Sequence, residues 1–122
     1  MITGIGTDII DINRIRKAIL MDAFVKKVFT DNEKGRALNS AETAAGIFAA
    51  KEAFVKACGT GFGKISATDI EVMKDEAGKP YFVLYNEAKS FVEHKNSRVH
   101  LTISHERDYA VAFVIIEGRE DR

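Results

Sequence analysis

The stretch Tyr109-Ala-Val-Ala-Phe-Val-Ile-Ile116 constrains the fold more than any other part of this sequence. A strand with one wet face alternates, as Val99, Leu101 and Ile103 do with His100, Thr102 and Ser104 just before it. The later stretch does not alternate, so it predicts a strand whose two faces are both apolar. In a chain of 122 residues little protein is left to cover both sides of a sheet. The second face is covered either by the chain's own helices or by another copy, and the pattern favours an oligomer.

The rest of the chain reads as one α+β domain over residues 1–122, a mainly antiparallel sheet packed on a long helix. Ile2 to Ile12 is rich in β-branched residues and predicts an opening strand. Between Asn13 and Val28 the apolar positions Ile15, Ile19, Leu20, Phe24 and Val28 have helical spacing, in two short helices. Thr30-Asp-Asn-Glu33 is a capping box that starts another short helix, which breaks near Asn39. Ser40 is placed to cap the long helix, which runs to about Cys58 with Gly59 just past its end. Ile70 to Met73 and Tyr81 to Tyr85 form a hairpin, Asn86 to Lys95 a helix, and a second hairpin turns through His105–Asp108. Pro80 is the only proline, and no linker or internal repeat is visible.

Composition removes several function classes. Eighteen Lys+Arg balance eighteen Asp+Glu, so no net charge draws the chain toward nucleic acid or a membrane surface. The single cysteine, Cys58, excludes an internal disulfide framework and a multi-thiolate metal site. With neither a signal-peptide pattern at the start nor an apolar run of spanning length, the expectation is a soluble cytoplasmic protein.

Some residues are candidates for chemistry. Glu52 and Lys56 lie four apart on one helix face, which makes either an ordinary surface ion pair or a site on an otherwise alanine-rich surface. They are followed at once by Gly59-Thr-Gly61-Phe-Gly-Lys64. Such a loop either lets backbone amides approach a phosphate, with lysines on both sides, or is an ordinary helix exit. Asp8 and Asp11 lie at the end of the first strand. One Asp and one Glu from separate elements are a usual protein contribution to a magnesium site, but spacing alone does not bring Asp8 to Glu52. His105 reads as a loop histidine, and Cys58 as a small buried apolar residue rather than a reactive thiol. Residues 13–27 hold Arg14, Arg16, Lys17, Lys26 and Lys27 against one acid, Asp22. That segment is either a solvated face or a docking surface for an acidic partner, with Phe24 among its apolar contacts.

Gly4-Ile-Gly-Thr-Asp8-Ile-Ile-Asp-Ile12, Phe48-Ala-Ala-Lys-Glu52-Ala-Phe-Val-Lys56-Ala, Gly59-Thr-Gly61 and Leu101-Thr-Ile-Ser-His105 stand in an order that resembles the bacterial holo-acyl-carrier-protein synthases. These are small, trimeric 4′-phosphopantetheinyl transferases, and the resemblance covers essentially the whole chain. It implies passage of the phosphopantetheine arm of coenzyme A to a serine of apo-acyl carrier protein, with release of adenosine 3′,5′-bisphosphate. It also implies Mg2+ held by Asp8 and Glu52, and Lys56 beside the pyrophosphate. His105 would contact a coenzyme A phosphate, with Gly59, Gly61 and Lys64 around the ligand. The family's site lies between neighbouring subunits of a homotrimer. The carrier protein would dock on Arg14, Arg16, Lys17 and Phe24. Glu52, or a water near the metal, would take the serine proton.

One departure stands out. The family's arginine directly before Phe-Ala-Ala-Lys-Glu is Ile47 here, which removes one phosphate contact and leaves Arg36 or Lys64 to compensate. The segment from Glu33 to Phe48 is also shorter than in many members. Two other functions remain compatible with the same residues: a non-catalytic oligomer that binds nucleotide or coenzyme A, and a metal-dependent pyrophosphate hydrolase.

Overall fold

A computed structural model describes residues 1–119 of the chain. β1 (Ile2–Asp11) pairs antiparallel with β5 (Tyr109–Gly118), and β4 (Ser97–His105) pairs antiparallel with the other edge of β5. The doubly apolar strand is therefore the centre of a three-stranded sheet ordered β1-β5-β4. A separate antiparallel hairpin joins β2 (Ile70–Lys74) to β3 (Pro80–Leu84). Its turn is held by Asp75, whose Oδ1 accepts from the amides of Ala77 and Lys79 at 2.9 Å each.

Five α-helices complete the described residues: α1 (Ile12–Ala18), α2 (Asp22–Val28), α3 (Asp31–Asn39), α4 (Ala41–Cys58) and α5 (Asn86–His94). Their starts follow from short polar side chains. Asp11 caps α1 by accepting from the Asn13 amide at 2.8 Å. Thr30 and Glu33 close the capping box of α3 reciprocally, and Ser40 caps α4. Gly59, at φ +77°, ends α4 in the left-handed conformation that glycine adopts without strain.

α4 crosses one face of the sheet at very close range, and glycine makes this possible. A Cβ on Gly4 would run into the Ala57 carbonyl oxygen, and one on Gly6 into that of Ala53. The same strand face continues through Asp8 and Ile10, since side chains repeat every second residue. Under the helix, Ala110, Ala112, Val114 and Ile116 of β5 are fully buried. The opposite face is not covered by the chain's own helices. There Ile5 and Ile9 are 61% and 62% exposed, and Phe113 is 41% exposed. Ile115 pairs with Ile5 and Val111 with Ile9, so the apolar patch is continuous across two strands. Among the described residues no helix is long and apolar enough to cross a membrane.

Candidate active site

β1 and α4 bring three charged residues together. Past the glycine contacts, Asp8 follows on the helix-facing side of β1, while Glu52 and Lys56 flank the alanines of α4 that touch the strand. Lys56 Nζ lies 2.9 Å from Asp8 Oδ1 and donates to the Thr7 carbonyl at 3.2 Å. The ion pair expected within the helix, Glu52 to Lys56, is thus replaced by one between helix and strand. Asp8 Oδ2 is buried and has no hydrogen-bond partner among the described residues. A buried carboxylate oxygen normally finds one, so this oxygen has coordination capacity to spare.

The electrostatics agree. Burial pushes the half-buried Glu52 carboxyl up, and the negative charge of Asp8 adds to the rise. The hydrogen bond to Asp8 pushes Lys56 up and keeps it a cation. An unpartnered carboxylate oxygen beside a second, half-buried carboxylate fits a hard divalent cation. Among the described residues no three His, Cys, Asp or Glu gather in one place. Magnesium needs no such cage, because it is usually held by one or two carboxylates plus waters and substrate phosphates.

Beside Glu52 opens a cleft of 520 Å³ lined by Phe24, Phe48, Phe62, Lys26 and Lys27. Phe24 does not stand out with the basic residues of its segment. Its ring packs 5.6 Å from Phe48 and 6.0 Å from Phe29, in the cleft wall. Arg14, Arg16 and Lys17 are exposed on α1, and the charge of Arg14 is felt at Glu52. Asp11 is occupied as the cap of α1 and takes no part.

The glycine loop behaves as a helix exit. The amides of Gly59, Thr60 and Gly61 turn back on Lys56 and Val55 carbonyls, at 3.1, 3.2 and 3.4 Å, so they do not form a free anion cradle. Lys64 lines a different hollow, which Glu87 and His94 of α5 also line. His105 ends β4 rather than sitting in the loop, and its Nε2 is 2.9 Å from the Glu42 carbonyl oxygen, over Gly46. Cys58 is half-buried, and burial pushes its thiol up to about 11, which leaves little thiolate for chemistry. Phe48 and Phe62 line the cleft beside Glu52, and the sequence alone did not single them out for it. Phe48 carried the helical spacing of a core residue, and Phe62 had no periodic signal at all.

Two carboxylates and a lysine thus meet at a strand–helix crossing of a small α+β fold, with Glu52 lining the cleft beside them. Residues 4–114 match the 4′-phosphopantetheinyl transferase superfamily, and the chain belongs to it. It is 50% identical to the holo-[acyl-carrier-protein] synthase of Clostridium tetani, over 97% of this chain and 98% of that one. It is 46% identical to that of Fusobacterium nucleatum, over 95% and 99%. The crystal structure of a holo-(acyl-carrier-protein) synthase from Bacillus anthracis in complex with CoA (3′,5′-ADP) superposes with a TM-score of 0.81, at 43% identity and 98% and 99% coverage. The enzyme from Neisseria meningitidis gives 0.84 at 41% identity, covering 96% and 99%.

Proposed function

We propose that this chain transfers the 4′-phosphopantetheine group of coenzyme A to a serine hydroxyl of an apo-acyl carrier protein. The observation that carries this reading is the Asp8–Lys56–Glu52 cluster, in which one buried Asp8 oxygen has no partner among the described residues and Glu52 lines the neighbouring cleft. Relatives at 50% and 46% identity over nearly the whole chain are holo-[acyl-carrier-protein] synthases, which supports the same reaction.

Asp8 and Glu52 would hold Mg2+, which when bound would supply positive charge to the pyrophosphate and to the leaving phosphate. Lys56, kept protonated by its bond to Asp8, adds a fixed positive charge beside them. The serine oxygen forms a bond to the β-phosphorus of coenzyme A as the bridging bond to the α-phosphate breaks. The electron pair of that bond leaves on adenosine 3′,5′-bisphosphate. The serine proton goes to Glu52 or to a water near the metal. The phenylalanine-lined cleft beside Glu52 gives the pantetheine arm an apolar wall. Arg14, Arg16 and Lys17 present a basic face to the acidic carrier, with Phe24 behind it in the cleft wall. The open face of Ile5, Ile9 and Phe113 is covered by neighbouring copies in a homotrimer.

Mass spectrometry of apo-acyl carrier protein incubated with the protein, coenzyme A and Mg2+ tests this. The expected result is a mass gain equal to phosphopantetheine that is lost when Mg2+ is chelated. Release of free phosphopantetheine with no change in the carrier would instead identify a hydrolase. Binding of coenzyme A with neither outcome would identify a non-catalytic binder.

A further inference from the structure

Two helices wall the cleft beside Glu52. One is α4, with Phe48 and Glu52, and the other is α2, with Phe24, Lys26, Lys27 and Val28. α2 is poorly equipped to hold its own place. It has seven residues, and no side chain caps its N-terminus at Met21. A helix that short is marginal without tertiary ties. Its tie comes from Lys51, a fully buried lysine that the transfer chemistry does not use. Lys51 Nζ donates to the Val28 carbonyl, one of those that a helix end leaves without an intrahelical partner.

The same ammonium lies 5.8 Å from the centroid of the Phe29 ring, within the range of a cation–π contact. It bonds Glu33 Oε1 at 2.6 Å, and that oxygen also accepts from the Thr30 amide at 2.9 Å. Val28, Phe29 and Thr30, which join α2 to α3, are thus all held from one lysine. Phe29 packs in turn on Phe24 in the cleft wall, with ring centroids 6.0 Å apart. Glu33 extends the tie to β2, where its other oxygen accepts from the Val72 amide. Lys51 and Glu52 are neighbours on α4, so they point about 100° apart around its axis. Glu52 lines the cleft, and Lys51 reaches the joint behind α2. One turn of α4 therefore carries a candidate metal ligand and anchors the end of the other wall.

Resting on the reaction proposed above, we propose that Lys51 is a positioning residue for the substrate cleft: by holding Val28 and, through Glu33, Thr30, it fixes α2 against α4 and sets the spacing between Phe24 and Glu52. With no exposed surface, its side chain touches no substrate itself. An apolar residue at position 51 fills the same space but leaves the C-terminal end of α2 untied. The cleft then binds the pantetheine arm less well, while the chemistry at Asp8 and Glu52 is unchanged.

Amide hydrogen exchange read segment by segment, with steady-state kinetics on the same samples, tests this in wild type and in Lys51→Met. In wild type the amides bonded within α2, such as Phe29 to the Val25 carbonyl, are expected to be protected to within about tenfold of those in α4. In Lys51→Met, exchange across residues 22–30 speeds at least about tenfold more than across α4, the usual worth of a lost charged hydrogen bond. KM for coenzyme A rises at least about fivefold while kcat stays within about threefold. A role in global stability alone would speed exchange equally everywhere and shrink the folded fraction, which lowers apparent kcat and leaves KM as it was. The exchange arm needs no substrate, so it stands or falls apart from the transfer reaction, and wild type decides it if the variant does not fold. Wild-type α2 that exchanges fully before α4 begins to exchange overturns the proposal. So does a folded Lys51→Met variant whose α2 keeps wild-type protection, or whose KM for coenzyme A is unchanged.

Discussion

Two lysines on one helix, five residues apart, are used in opposite ways. Lys51 and Glu33 meet at 2.6 Å with both side chains 0% exposed. Lys51 also donates to the Val28 carbonyl, and the other Glu33 oxygen accepts from the Val72 amide at 2.6 Å. Every charge there has its partners. Burial pushes the Lys51 ammonium down and the Glu33 charge opposes that shift. At Lys56 and Asp8 the distance is similar, 2.9 Å, but the side chains are 53% and 13% exposed and one Asp8 oxygen is unpartnered. The first pair ties α3, α4 and β2 together. The second is left open. The same chemical pair has every partner where it is closed and keeps one carboxylate oxygen unpartnered where it is open.

The largest expected effect separates the two sites by activity. Asp8→Ala or Glu52→Ala removes a hard oxygen ligand and lowers kcat/KM by at least about 100-fold. Because the open pair contributes little to the core, melting of both variants stays close to wild type. Steady-state kinetics and thermal melting on the same samples check this, and full activity at limiting Mg2+ would break the comparison.

Stability separates them in the other direction. Lys51→Met leaves Glu33 buried without its cation, at a cost of about 3–5 kcal/mol. Lys56→Met, at an exposed pair, costs no more than about 1 kcal/mol. Denaturant midpoints decide. Equal losses would mean that Lys51 is not part of a closed network.

The sheet offers a parallel contrast between neighbouring residues. Phe113 points to the open face and Val114, 0% exposed, points under α4. Phe113→Asp is expected to disperse the oligomer while the monomer stays folded, whereas Val114→Asp unfolds the chain. Light scattering with circular dichroism distinguishes the two, and a wild-type monomer at micromolar concentration contradicts the assembly.

The smallest effect concerns the carrier. Arg14→Glu replaces an attraction at an exposed contact with a repulsion of similar size. A total near 1.4 kcal/mol raises KM for the carrier about tenfold, and KM for coenzyme A stays within about twofold. Salt weakens the wild-type interaction by screening. If the variant instead weakens coenzyme A use alone, the basic helix belongs to the nucleotide site.

Local signals in the chain were legible and long-range ones were not. Thr30 and Glu33, Ser40 and Gly59 mark helix ends through contacts within a few residues, and each has the role that its position suggested. Glu33 shows the limit. Its capping role is visible in Thr-Asp-Asn-Glu, but its buried bond to Lys51 joins residues 18 apart and has no local signature. Asp8 and Lys56 are 48 apart, and nothing in spacing foretold their contact. The glycines at 4 and 6 did carry a clue: on alternate positions of a strand they mark one smooth face where a helix can lie close, and Asp8 continues that face. The glycine loop after α4 allowed two outcomes because its composition suits both, and the hydrogen bonds back to Val55 and Lys56 select the helix exit.

Divalent-ion binding tests the contrast between the open and the closed pair most directly. Mn2+ in place of Mg2+, followed by electron paramagnetic resonance in the presence of adenosine 3′,5′-bisphosphate, reports the bound ion without requiring transfer. Wild type is expected to bind one ion per chain, and Asp8→Asn and Glu52→Gln to bind at least about tenfold more weakly. Folded Glu33→Gln, altered at the closed pair, should bind as wild type does. Undiminished binding by both Asp8→Asn and Glu52→Gln would contradict the assignment of the open pair as the metal site.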